Sequence, residues 1–200
     1  MSDAAAPPVT VAQVAVGRLL SQLLLREPDA ALLGELRAPE VRSGLRDLGV
    51  EVPPGQDAEA DRVWLEERGA EYLDRWLRPE RGGPPVQSLW SGGQYEGDPA
   101  VALRRWTEAV GLRYDAEAAR GAPIDHLGSS LALWCLAAEH SAEHAEALRV
   151  QHLEWGRRPL EAARAAGGFY GGVAAAALGW LDWIGESADG AEPRPGESAG

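Results

Sequence analysis

Residues 7–28 read PPVTVAQVAVGRLLSQLLLREP. After the proline pair, Val16, Leu19, Leu20, Leu23 and Leu24 recur at steps that gather apolar side chains on one face of an α-helix. The stretch predicts a helix to about Arg26, stopped by Pro28, which lacks an N–H and crowds the preceding turn. The same logic extends outward. Asp29 predicts the N-cap of a short helix through Leu32, Leu33 and Leu36, and Pro39 suits the first turn of a third carrying Leu45 and Leu48. Past the Pro53-Pro54-Gly55 linker, Asp57 opens a long helix that places Leu65, Gly69, Tyr72 and Trp76 on one face and ends near Pro79. Further helices start at Asp98-Pro99 (Leu103, Trp106, Val110) and at Pro123 (Leu127, Leu131, Trp134, Ala138). Two more carry Ala145, Leu148, His152 and Trp155, then Val173, Ala177, Trp180 and Ile184.

Composition agrees. The 200 residues fit one domain, with 35 alanines and 25 leucines against only 17 β-branched residues, so helix formers dominate and a sheet protein is disfavoured. The predicted fold class is all-α: a single-domain, irregular bundle of about seven or eight helices. Residues 1–8 are expected to be a flexible N-terminus, 9–184 the helical domain, and 185–200 a disordered acidic tail rich in Gly, Pro, Glu and Ser. Residues 79–99, PERGGPPVQSLWSGGQYEGDP, have no helical period and predict a long Gly/Pro-rich loop, which at this length is usually functional or disordered. Val86, Leu89, Trp90 and Tyr95 argue that it packs on the bundle.

The net charge is −12, and every base is arginine because the chain has no lysine. Nucleic-acid binding is disfavoured for want of a positive face, and cationic partners are favoured. The single cysteine, Cys135, beside Trp134 in an apolar run, reads as a small buried residue in a reducing compartment. No basic, apolar secretory leader is seen at the N-terminus, and the longest uncharged run, Ala165–Leu181, reads as a core helix and not as an integral membrane segment. A soluble cytoplasmic protein is expected.

His140-Ser141-Ala142-Glu143-His144 matches H-x-x-E-H, which on one helix places two imidazoles a turn apart beside a carboxylate base, so a metal-dependent hydrolase is the alternative reading. Ser141, however, resembles a helix start that separates the two histidines, and no third ligand stands out; neither a metal nor another cofactor is expected. Asp125-His126 after Pro123 reads as a helix start, and its side chains lie about 100° apart around a helix, which disfavours a dyad. No phosphate loop of the form G-x-x-x-x-G-K-[ST] occurs.

Glu71-Tyr72 with Trp76 and Pro79 resembles an E-Y-x-x-L-F-x-x-P helix end, and Pro84-Pro85-Val86-Gln87-Ser88-Leu89-Trp90 a P-P-Y-E-S-V-Y loop. Arg105-Trp106 with Gly111-Leu112 resembles R-x-Y-x-x-x-G-L, and Pro123-Ile124-Asp125-His126-Leu127 resembles E-P-x-D-H-L. His152-Leu153 with Trp155 resembles H-L-x-x-W with one residue fewer. In this order and spacing the blocks resemble the TorD/DmsD family of chaperones that mature molybdenum-cofactor oxidoreductases. Arg75 stands where that family favours leucine, and Gln87 and Ala122 where it favours glutamate. The resemblance implies a non-enzymatic, monomeric or dimeric chaperone. It would bind the twin-arginine signal peptide and the apo-form of a partner oxidoreductase. The client-binding residues it implies are Tyr72, Trp76, Pro85, Ser88, Trp90, Pro123, Asp125 and His126.

Overall fold

The computed structural model describes residues 9–47, 50–55, 57–78 and 83–189, with side chains to residue 186. Within them the chain forms ten α-helices: α1 (Val11–Leu25), α2 (Ala30–Leu36), α3 (Pro39–Asp47), α4 (Ala58–Tyr72), α5 (Gln87–Gly92), α6 (Asp98–Ala109), α7 (Leu127–His140), α8 (Ala142–His152), α9 (Arg157–Ala166) and α10 (Gly168–Asp189). The all-α class is as expected, with more helices than the seven or eight predicted.

Local chemistry sets the helix starts. Thr10 and Gln13 form a reciprocal capping box on α1. Asp29 accepts from the Leu32 N–H, and Asp57 from the Glu59 and Ala60 N–H groups, as their positions predict. Ser141 accepts from the His144 N–H and opens α8.

The core is centred on α1, α7 and α10. Leu20, Leu23 and Leu24 of α1 are buried, each contributing on the order of 2 kcal/mol. Close approach depends on two glycines. A Cβ on Gly17 would lie 2.8 Å from both Cys135 Sγ and the Trp180 ring; one on Gly128 would lie 2.6 Å from Leu25 Cγ and 3.0 Å from the Ser21 carbonyl. Polar contacts lock this crossing: Ser21 Oγ donates to the Gly128 carbonyl (2.7 Å) and Trp180 Nε1 to the Gln13 carbonyl (2.9 Å), while Trp134 and Trp180 meet edge to face at 4.8 Å. Cys135 is buried, and desolvation pushes its thiol up to about 12.

The start of α10 is seated on α4. The Glu71 carboxylate accepts the Tyr170 N–H at 2.9 Å, and Tyr170 packs edgewise on Tyr72 and Trp76. Gly168 has φ +77°, and the space a Cβ would need there is taken by Glu71. Beyond Tyr72 the helix widens into a π-turn, Leu73–Leu77, that buries Trp76 while Leu73 and Leu77 stay exposed.

Several boundaries differ from the sequence reading. The 79–99 stretch contains a helix, α5. Residues 123–126 form a turn, so α7 begins at Leu127 and not at Pro123. The uncharged run Ala165–Leu181 is split between α9 and α10 where Gly167 and Gly168 both take positive φ. Trp64, and not its neighbour Leu65, is buried on α4 together with Gly69 and Tyr72. Helix α10 continues to Asp189, past the expected start of the tail. The flexible N-terminus, Leu48 and residues 190–200 lie outside the described residues. Among the described residues, no helix is long and apolar enough to cross a membrane.

Candidate functional site

Two of the sequence blocks meet as a buckle. Pro84 and Pro85 hold the approach to α5 extended, and Val86 pairs antiparallel with His126. The Gln87 N–H donates to the Asp125 carbonyl (2.9 Å) and the Leu127 N–H to the Pro85 carbonyl (2.8 Å). Val86 occupies the N-cap of α5 and has no side-chain acceptor to offer, so Asp125 supplies one from a distant part of the chain. Its Oδ2 accepts both the backbone N–H (2.8 Å) and the hydroxyl of Ser88. Asp125 was expected to serve the start of its own helix beside an accessible loop. It is instead fully buried and caps α5.

The start of α7 is capped by His126, whose Nδ1 accepts the Gly128 N–H at 3.1 Å; the neutral ring therefore carries its proton on Nε2. Burial lowers its pKa to about 4. From the end of α8, His152 Nδ1 lies 3.3 Å from Gln87 Oε1, tying a third block to the buckle. Its pKa is also lowered by burial, with Asp125 opposing the shift. Tyr114 donates to the Ala122 carbonyl and approaches Ser129 Oγ at 3.3 Å, and burial raises its pKa. Asp125 Oδ1 and Ser130 Oγ are buried without partners. The Ser88 hydroxyl is bonded to a carboxylate and to neither imidazole, and the arrangement is a braced polar frame.

Of the residues the resemblance implies, Pro85, Ser88, Asp125 and His126 come together, and all are buried. Pro123 and Trp90 are half-buried at the edge of this frame. Trp90 donates from Nε1 to the Pro84 carbonyl (3.1 Å), and the Arg158 guanidinium lies over its ring at 5.8 Å. Trp76 is buried, but it shares a small gap with Trp90, Arg75 and Pro159. Tyr72 lies apart: its hydroxyl donates to the Leu24 carbonyl (3.1 Å), and burial pushes its pKa up to about 12. Tyr95, which follows α5, is 57% exposed.

The histidines of the H-x-x-E-H match are on different helices. His140 ends α7, Ser141 breaks the chain direction, and the His144 ring lies 6.3 Å from Trp106, edge to face. This removes the one-turn spacing that made the match meaningful. Among the described residues, no group of three or more His, Cys, Asp or Glu is placed to hold a metal ion.

Sequence reasoning missed the roles of Gln87, His152, Tyr114 and Glu71. Each lay in or near a quoted block, but their partners are far away in the chain and carry no local signal.

Fold and site together define an all-helical protein whose loop between α4 and α6 is buckled onto the turn before α7. A solved structure of this kind is that of a candidate redox enzyme maturation protein from Archaeoglobus fulgidus. It shares 18% identity, with a TM-score of 0.56 over 88% of this chain and 96% of that one. At that identity the likeness establishes the shared fold. No protein-family model and no curated protein matches the chain.

Proposed function

We propose that this protein is a cytoplasmic maturation chaperone of the TorD/DmsD type. It binds the twin-arginine signal peptide and apo catalytic subunit of a molybdenum-cofactor oxidoreductase and keeps that subunit from export until the cofactor is inserted. It performs no catalytic step of its own. The observation that carries this reading is the convergence of the 84–90, 123–127 and 152–153 blocks, scattered in sequence, on one buckle in a fold shared with a candidate redox enzyme maturation protein.

Buried Asp125, His126, Ser88 and Pro85 act by holding the loop in place, while buried Tyr72 and Trp76 pack on Tyr170 in the core. Trp90, Pro123 and exposed Tyr95 offer the apolar contact. Glu96 and Asp98, exposed beside Tyr95, supply charge for the client's arginines. Among the described residues Glu96 is held by an exposed pair with Arg104, which a client arginine can replace at little cost. A charge-assisted hydrogen bond contributes about 1.5–3 kcal/mol while micromolar affinity needs about 8, so apolar burial supplies much of the remainder.

The test compares binding of the purified chain to apo and cofactor-loaded forms of a twin-arginine molybdenum oxidoreductase from the native host. Binding to the apo form alone is expected; equal binding to both, or binding to neither, contradicts the proposal.

A further inference from the structure

Val50–Pro54 form a strap over the foot of α4. Arg37 fixes it: its Nε donates to the Pro53 carbonyl at 2.9 Å, and its guanidinium pairs with Asp61. Gly55 takes φ +87° against that guanidinium, where a Cβ would lie 2.9 Å from Cζ. Between the strap and α3 is a cavity of about 350 Å³, within the range of small-molecule sites.

Its lining is unlike the rest of this acidic surface. Arg42 and Arg46, one helical turn apart on α3, both reach it, and neither has a carboxylate partner among the described residues. Most other arginines near a carboxylate are paired, including Arg26, Arg37, Arg62, Arg149 and Arg157. Val52 and Pro53 give the cavity an apolar wall, and among the described residues Glu51 is the one acid that lines it. Trp64 also lines it. The indole is held by Phe169 edge to face at 5.3 Å and by Arg68 at 5.6 Å, yet its buried N–H has no acceptor.

We infer that the cavity between α3 and the Val50–Pro54 strap binds a small organic oxyanion, a phosphate monoester or a dicarboxylate with an apolar body, gripped by Arg42 and Arg46. Two guanidiniums against one carboxylate leave a net positive lining suited to a doubly charged group. The cavity is much larger than an oxyanion alone, and the ligand's body packs on Val52 and Pro53. The site shares no residue with the buckle and does not depend on the chaperone reading.

The experiment is calorimetric titration of the full chain with phenyl phosphate, phthalate, inorganic phosphate and phenol at fixed ionic strength, with thermal melts alongside. Saturable one-to-one binding of phenyl phosphate or phthalate is expected, the tighter of the two naming the source of the oxyanion, with inorganic phosphate weaker and phenol silent. Arg42→Gln and Arg46→Gln should each weaken binding about tenfold, the scale of a lost charge-assisted contact, with unliganded melting unchanged. Glu51→Gln should strengthen it. Equal binding by the Arg42→Gln/Arg46→Gln protein, or no saturable binding of either organic anion, would overturn the assignment.

Discussion

Asp125 caps a helix far back in the chain: its carboxylate takes the N–H and hydroxyl of Ser88, 37 residues earlier and both sealed from solvent. This single relationship turns a Gly/Pro-rich stretch into an ordered helix and fixes where Trp90 emerges.

Removing the acceptor therefore costs stability. Asp125→Ala leaves the buried Ser88 N–H unsatisfied and should destabilise by about 2–3 kcal/mol, whereas Ser88→Ala, which loses only the hydroxyl bond, should cost about 1 kcal/mol. Urea unfolding of both single variants and the double should show a coupling of at least about 0.5 kcal/mol. Additive effects would mean the bond contributes nothing.

His126 makes stability depend on pH. Its folded pKa of about 4 lies below the unfolded value of 6.5, so the unfolded chain takes up the proton first and stability is lost as pH falls from about 6.5 to about 4. The full effect is on the order of 3 kcal/mol. His126→Asn keeps a good N-cap acceptor without titrating, and should lessen the loss of stability between pH 6.5 and 4. Urea midpoints at pH 7, 5.5 and 4.5 measure it; an unchanged slope in the variant contradicts the assignment.

Glycine substitutions separate close approach from backbone effects. Gly128→Ala drives a methyl into Leu25 and the Ser21 carbonyl and should destabilise by about 1–3 kcal/mol. Gly34→Ala, in the exposed middle of α2 with nothing within 4 Å, should stabilise by about 0.5–1 kcal/mol. Thermal melts that rank the two the other way would refute the α1–α7 contact.

What the sequence made legible was what local chemistry decides. Leu20, Leu23 and Leu24 marked their core face, Asp29 and Asp57 marked helix starts, and Ser141 marked the break that separates His140 from His144. What stayed hidden depended on distant partners. Helix α5 is too short for a period, and its cap comes from Asp125. The split at Gly167-Gly168 is set by Glu71 occupying the space beside the chain. Tyr72 and Trp76, which the resemblance implies as client-binding, are held in the core by Tyr170, and Asp125, read as a helix start, is closed over by Ser88.

In the proposed function, Trp90 and Tyr95 are the aromatic residues that meet the client. Trp90→Ala and Tyr95→Ala should each weaken client binding about tenfold or more, the usual scale for an aromatic anchor, with Tyr95→Ala leaving the melting temperature unchanged. Folded variants that bind as the wild type does would move the client elsewhere on the surface.

The most direct measurement of the central claim is titration of the wild-type chain with a fluorescent twin-arginine signal peptide from a molybdenum-cofactor oxidoreductase of the native host, against the same peptide with both arginines replaced by alanine. The account predicts saturable binding that weakens with added salt, as expected for an acidic protein meeting a cationic peptide, and a loss of about tenfold or more without the arginines. Equal affinity for the two peptides, or no saturable binding of either, would contradict it.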